Sequence, residues 1–247
     1  MFETIKSLKL QKNQLIKDIR AAEPKDGFRG LPSISCDSCD NCNECVRVCP
    51  TNAINIDGKN SCIDLGKCTL CGECAHVCKK SAICFSKFHK LGTANREDLF
   101  VNGKLNPIIA KEEIKKFFGK SLKLRQVSAG GCNSCEMELN ACGNANFDMG
   151  RYGVEFVASP RHADGIVITG PITKNMAKAL EDTYLACSSP KIIVLVGACA
   201  ISGGVFADSS ELDRSFLDKY KPDLYIPGCP AHPLTIITAI IDFIGAK

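Results

Sequence analysis

The sequence predicts two units in series, a small α+β fold followed by an α/β fold with a parallel sheet. Three observations carry this. Eight cysteines between residues 39 and 78 form two copies of one spaced run. After residue 122, short apolar runs alternate with helical patterns, as in a parallel sheet covered on both faces. Four further cysteines follow the expected carboxyl ends of those strands, where open α/β sheets gather their ligands.

The bulk composition supports metal chemistry in a reducing compartment. At 247 residues the chain is long enough for one or two domains. It is 45% hydrophobic with 6% aromatics and no Trp, so its core is aliphatic. The N-terminus has no apolar signal core, and no uninterrupted apolar run reaches the length of about 18 residues expected of a membrane span. The 17 cysteines are therefore expected as thiols and ligands rather than as disulfides. Charge is uneven. Residues 87–125 carry ten Lys/Arg against four Asp/Glu, whereas residues 126–247 carry nine against thirteen. The basic stretch suits an acidic protein partner. Nucleic acid is the rival, but the stretch has no known nucleic-acid motif.

Residues 1–30 read as an amphipathic N-terminal arm. Phe2, Ile5, Leu8, Leu15, Ile16 and Ile19 fall at roughly helical spacing, and Glu23-Pro24 and Asp26-Gly27 stop the helix. The arm packs on a partner subunit or membrane surface, or covers its own domain.

Residues 31–88 form the α+β unit. Cys39-x2-Cys42-x2-Cys45-x3-Cys49-Pro50 is repeated as Cys68-x2-Cys71-x2-Cys74-x3-Cys78, with Lys79 in place of the proline. This is the run of bacterial two-cluster ferredoxins, in which the fourth cysteine of each run ligates the other cluster. One [4Fe–4S] cluster then takes Cys39, Cys42, Cys45 and Cys78. The second takes Cys68, Cys71, Cys74 and Cys49. Residues 53–56 and 82–85 are the closing strands, making the unit ferredoxin-like. Structural zinc also takes four thiolates, but its sites pair two CxxC units, whereas three cysteines crowd each loop here. Cys36, Cys62 and Cys84 fit no ligand slot and read as small packing residues, with a ligand swap or modified cluster at Cys36 as the alternative.

Residues 89–122 read as a basic linker with turns at Gly92, Asn102-Gly103 and Pro107. A short helix over 111–118 carries Ile114, Phe117 and Phe118 on one face. His89 reads as a lone surface histidine.

Residues 123–247 form the α/β unit. Strands are expected at 122–127, 154–157, 165–169, 191–196 and 224–226, with helices at 175–187, 211–219 and 233–244. The layout is flavodoxin-like. Cys132 and Cys135 follow the first strand, Cys199 the fourth and Cys229 the fifth, so four thiolates share one rim. Cys142 and Cys187 are left as packing residues. Gly203-Gly204 lacks the pattern of a phosphate loop and reads as close backbone approach near Cys199.

Taken together, Cys132-x2-Cys135-x2-Glu138, residues 159–164, Gly170-Pro171, Gly197-Ala198-Cys199 with residues 203–206, and residues 227–230 resemble the small subunit of energy-converting, membrane-bound [NiFe] hydrogenases, formate hydrogenlyase included. The same superfamily holds the complex I subunit that carries the last cluster before quinone. The resemblance implies one proximal [4Fe–4S] cluster on Cys132, Cys135, Cys199 and Cys229, facing a large subunit that holds nickel–iron. The CxxC spacing favours the hydrogenase branch, because the complex I branch has adjacent cysteines there. Glu138 matches a family acid near the cluster, or is a carboxylate favoured by the helix start. Arg161 and His162 stabilise cluster charge, face the partner or cap a turn, and His232 has no role.

The implied protein is an electron-transfer subunit with three [4Fe–4S] clusters and no catalytic side chain of its own. It relays electrons between a redox donor and nickel–iron in the hydrogenase large subunit. The alternative is a complex I-like module delivering to quinone. Further partners are other hydrogenase or membrane-arm subunits and a soluble redox donor, with no nucleic acid. The expected location is cytoplasmic, peripheral on the inner face of the membrane.

Overall fold

The computed structural model describes residues 2–11 and 14–246. Helix α1 runs over Phe2–Gln11 and is exposed, with Phe2 and Ile5 open to solvent. The side chain of Leu8 and residues 12 and 13 lie outside the described residues. The helix expected to continue through Ile19 is not formed over residues 14–19. Residues 14–24 are instead an irregular strap on the C-terminal unit. Ile19 is fully buried in that unit's core. The Ile16 N–H donates to the Asn146 carbonyl at 2.9 Å. Arg20 pairs with Asp242 at 3.0 Å and donates to the Ala246 carbonyl at 2.8 Å. Helical periodicity failed here because anchoring tertiary contacts at Ile16, Ile19 and Arg20 outweigh it. Ile19→Ala leaves a cavity under the strap and is expected to cost about 2–5 kcal/mol. Thermal or urea unfolding of the metal-free chain measures it.

The cysteine-rich part is built on short strands and single-turn helices. β1 (Pro32–Ile34) precedes α2 (Glu44–Val48), β2 (Ile54–Asn55) and β3 (Cys62–Asp64). Then follow α3 (Glu73–Val77), β4 (Ile83–Phe85) and β5 (Phe100–Val101). β1 pairs antiparallel with β4, and β2, β3 and β5 form a second antiparallel sheet. Only β2 and β4 were legible as closing strands. Ile34, Ile54, Ile63 and Ile83 make a small core with Cys45 and Cys74.

The stretch read as a basic linker is more than a connector. Its β5 extends the second sheet. Arg96 reaches the buried Asp64 carboxylate on β3 at 2.5 Å. Thr93 exchanges backbone bonds of 2.9 and 2.8 Å with Tyr225 of the C-terminal unit. Leu65, Leu91, Leu99 and Val101 enter one core with Ile166, Ile168, Ile193 and Leu195, so the two halves share buried apolar surface. His89 is 5% exposed, with its Nε2 unpaired among the described residues, and is not the surface histidine expected. Helix α4 (Glu112–Phe118) forms as expected. It buries Phe118 and part of Ile114, but leaves Phe117 exposed.

The C-terminal unit holds β6 (Leu122–Ser128), α5 (Ser134–Cys142), β7 (Val154–Phe156), β8 (Gly165–Thr169) and α6 (Lys174–Ala186). It continues through β9 (Ile192–Val196), α7 (Ala198–Ser202), α8 (Ser215–Lys219), β10 (Leu224–Ile226) and α9 (Pro233–Ile244). The sheet is fully parallel in the order β10-β9-β8-β6-β7. Counted from its own first strand that is 2-1-3-4-5, with the switch point between β6 and β8. Helices α4, α5 and α9 flank one core, whereas α6, α7 and α8 contribute to the other. β8 and β9 are buried at every position, which explains their unbroken apolar runs. The helix expected over 211–219 begins only at Ser215. Asp213 Oδ1 accepts from the Ser215 N–H and hydroxyl at 3.1 and 2.7 Å, a local turn that displaces the first helical turn.

Candidate metal centres

The two halves of the cysteine-rich unit repeat in backbone as well as in sequence. Asn41 and Leu70, Asn43 and Gly72, and Asn52 and Ser81 are pairs of left-handed residues at equivalent places in the two runs. Each run thus turns sharply between its cysteines and enters a short helix, α2 or α3, at its third cysteine. After each fourth cysteine the chain returns a backbone N–H to sulfur. Ala53 donates to Cys49 Sγ and Ala82 to Cys78 Sγ, both at 3.3 Å. Leu70 donates to Cys68 Sγ at 3.4 Å. Such donors favour the thiolate over the thiol.

These turns bring cysteines together across the repeat. Cys39, Cys42, Cys45 and Cys78 line one cavity of about 350 Å³. Cys49 lies within electrostatic reach of Cys68 and Cys74, and Cys71 does too. Cys78, the fourth of the second run, thus shares a cavity with the first three of the first run, and Cys49 lies near Cys68 and Cys74.

A third group forms on the rim of the parallel sheet. Cys132 and Cys135 come from the turn after β6 and the start of α5, Cys199 from α7 after β9, and Cys229 from the turn after β10. All four line a cavity of about 310 Å³ together with Gly131, Gly170 and Gly228. A Cβ at Gly197 would come within 2.6 Å of Cys135 Sγ, and one at Gly204 within 2.8 Å of Cys199 Sγ. The backbone thus approaches both sulfurs as closely as glycine permits. Among the described residues no three His, Cys, Asp or Glu side chains converge tightly enough to hold a single ion. Four thiols around one cavity are a donor set that fits an iron–sulfur cluster.

A wider cavity is lined by Arg29, Thr69 and Leu70 from the N-terminal part of the chain and by Cys229, Glu138 and His232 from the C-terminal unit. Cys229 and Cys71 are close enough to interact electrostatically. The group containing Cys49 is therefore the neighbour of the sheet-rim group.

Burial governs the thiols. It pushes Cys68 and Cys135 up to about 12 and Cys74 and Cys199 up to about 11, with neighbouring cysteines adding to the shift. Cys132 goes the other way, held down by the Ser134 hydroxyl 3.4 Å away. The metal-free chain thus keeps most of these sulfurs protonated at neutral pH, and metal entry must expel protons. The four raised thiols ionise more readily unfolded, from the ordinary 9.0, than folded. Their support for the metal-free fold is complete below pH 9 and is lost as pH climbs toward 12. Melting temperatures of the metal-free chain are expected to fall across that window, and a flat profile contradicts this.

The remaining candidates divide. No two of the seventeen cysteines are joined as a disulfide. Cys142 and Cys187 are buried and bond the Glu138 and Thr183 carbonyls, as packing residues do. Cys36 and Cys62 are half-buried, and neither lines a cysteine cavity. Cys84 is exposed beside the Ser33 hydroxyl, so it is not the packing residue expected. Glu138 lies one turn beyond the start of α5 and lines the wider cavity, where burial raises its carboxyl. The helix-start carboxylate is instead Glu136, which is 4% exposed and lines the sheet-rim cavity. Arg161 and His162 are exposed on a short 3-10 turn outside that cavity. His232, given no role, caps α9 by accepting the Leu234 N–H at 3.1 Å and packs edge-on against Phe28 and Phe147.

Residues 132–243 match the model of the NADH ubiquinone oxidoreductase 20 Kd subunit family, and residues 38–82 match that of the 4Fe-4S dicluster domain. A Pyrococcus furiosus protein described as a probable membrane-bound hydrogenase subunit is 36% identical over 52% of this chain and 77% of its own length. Formate hydrogenlyase subunit 7 of Escherichia coli is 40% identical over 55% of this chain and 53% of its own length. An NADH-quinone oxidoreductase subunit of Citrifermentans bemidjiense is 40% identical over 45% and 65%, respectively. The chain belongs to the family of the complex I 20 kDa subunit and the [NiFe] hydrogenase small subunit, and it carries an iron–sulfur dicluster domain ahead of it. It is an oxidoreductase subunit. No helix among the described residues is long and apolar enough to cross a membrane.

Proposed function

We propose that the chain is the electron-transfer subunit of a [NiFe] hydrogenase complex and holds three [4Fe–4S] clusters in a row. The outermost sits on Cys39, Cys42, Cys45 and Cys78. The middle one sits on Cys49, Cys68, Cys71 and Cys74, and the terminal one on Cys132, Cys135, Cys199 and Cys229. Residues 31–88 form the ferredoxin-like domain and residues 123–247 the flavodoxin-like domain. Residues 89–122 join the two, and the arm of residues 1–30 rests on the second through Ile16, Ile19 and Arg20. The observation that carries the reading is the third gathering of four cysteines at the sheet rim, beside a middle group reached through Cys71.

Clusters bound in these cavities supply one-electron transfer at potentials set by ligation, hydrogen bonds and burial. The chain's own residues hold and tune them. Thiolates ligate, the Ala53, Ala82 and Leu70 N–H groups donate to sulfur, and glycines let the backbone close round the terminal site. Exposed Met137, Val205 and Phe206 come from the segments that carry Cys135 and Cys199. They are apolar surface fit to be covered by a large subunit, which would hold the nickel–iron centre. With partners of this kind the chain is peripheral to the membrane on its cytoplasmic side.

A second reading, delivery to quinone in a complex I-like module, draws on the similarity to the NADH-quinone oxidoreductase subunit. The Cys132-x2-Cys135 spacing favours the hydrogenase branch. Purification of the complex from its native host separates the two. Nickel in the partner with hydrogen evolution from a reduced donor supports the hydrogenase reading. Quinone reduction by a nickel-free complex contradicts it.

A further inference from the structure

Two charged side chains of opposite sign grip the loops of the sheet-rim site, and neither lies in a cysteine motif's ligand slot. Glu136 is almost fully buried, and its Oε1 accepts two hydroxyls, Ser128 Oγ at 2.6 Å and Thr169 Oγ1 at 2.7 Å. Those two residues are register partners at the ends of β6 and β8, at the switch point of the sheet. Glu136 thus ties the start of α5, and Cys135 with it, to two strand ends. Arg214 does the equivalent for Cys199. Its Nη1 donates to the carbonyls of Pro171 at 3.0 Å and Cys199 at 3.2 Å. Its Nη2 donates to those of Ala200 at 2.8 Å and Ile201 at 3.0 Å. One guanidinium therefore joins the loop after β8 to the helix that presents Cys199, satisfying carbonyls that α7 is too short to satisfy itself.

We propose that Glu136 and Arg214 are positioning residues that fix the loops bearing Cys135 and Cys199 and set, with opposite signs, the reduction potential of the group held there. The proposal rests on the iron–sulfur reading of that site. Both lie at the sulfurs. Glu136 follows Cys135 directly and lines the cavity with all four cysteines, and Arg214 bonds the carbonyl of Cys199 itself. Fields from these charges act on an added electron. A buried carboxylate opposes reduction and a guanidinium favours it, with little solvent between to screen either.

The test is a redox titration followed by electron paramagnetic resonance on the intact complex, with iron analysis. Glu136→Gln keeps an oxygen for both hydroxyls and removes the charge, so it is expected to raise the midpoint potential of the sheet-rim cluster alone. Arg214→Gln is expected to lower it. Arg214→Lys keeps the charge but cannot span four carbonyls. It should hold the potential near the unaltered value while losing iron to a chelator faster. A purely structural role would not move the potential in opposite directions. If Arg214→Gln does not assemble, Glu136→Gln decides by its sign alone. Shifts that are absent, or of one sign, overturn the proposal while leaving the site's identity standing. A third signal missing from the unaltered complex overturns the reading of the site, and the proposal falls with it.

Discussion

Replacing Cys42 and Cys49 together is expected to remove two clusters, although both cysteines lie in one sequence run. Iron should fall from about twelve atoms per chain to about four, because each cluster carries four irons. The physical basis is the crossing of the repeat. Cys42 shares its cavity with Cys39, Cys45 and Cys78, while Cys49 sits with Cys68 and Cys74. Replacing Cys42 and Cys78 together touches only one cavity and should leave about eight irons. If each run instead held its own cluster, the outcomes would be reversed. Iron analysis of the two double variants, Cys42→Ala/Cys49→Ala and Cys42→Ala/Cys78→Ala, decides the matter.

The second large effect is expected from a single methyl group. Gly197 has φ +92° and ψ 154°, a region nearly confined to glycine. Alanine there would place its Cβ within 2.6 Å of Cys135 Sγ. The backbone strain alone costs about 1–3 kcal/mol, and the sulfur must move as well. Gly197→Ala is therefore expected to lose the sheet-rim cluster, taking iron from about twelve to about eight per chain, with the two ferredoxin-type signals retained. Gly58 is the control. It also has positive φ, but nothing lies within 4 Å of its Cβ. Gly58→Ala should therefore carry a strain cost in unfolding experiments and keep its full iron.

The sites were far more legible in the sequence than the joints between them. Cysteine spacing is a covalent record of loop geometry, so the two runs foretold their own crossing. The unbroken apolar runs of β8 and β9 foretold a covered parallel sheet, and Cys132, Cys135, Cys199 and Cys229 fell at strand ends on one rim. Other features depend on partners remote in sequence. Ile19 matched a helical period but is anchored from an irregular strap. β5 has two residues, too few for any pattern. Arg214 acts on main-chain carbonyls that no side-chain motif reveals. His89 is buried by neighbours rather than by its own segment. Glu136 carries a readable signal, an acid in the first turn of a helix, but the family resemblance rests on Glu138. Asp213 before Ser215 was likewise a turn signal that the apolar period masked.

The central claim is that twelve cysteines hold three four-iron groups in one line. A diffraction map of the complex collected at the iron absorption edge tests it directly. The account predicts three compact iron peaks, the middle one ringed by Cys49, Cys68, Cys71 and Cys74 and facing Cys229 across the gap. Two peaks only, or a middle peak without Cys49 beside it, would contradict it.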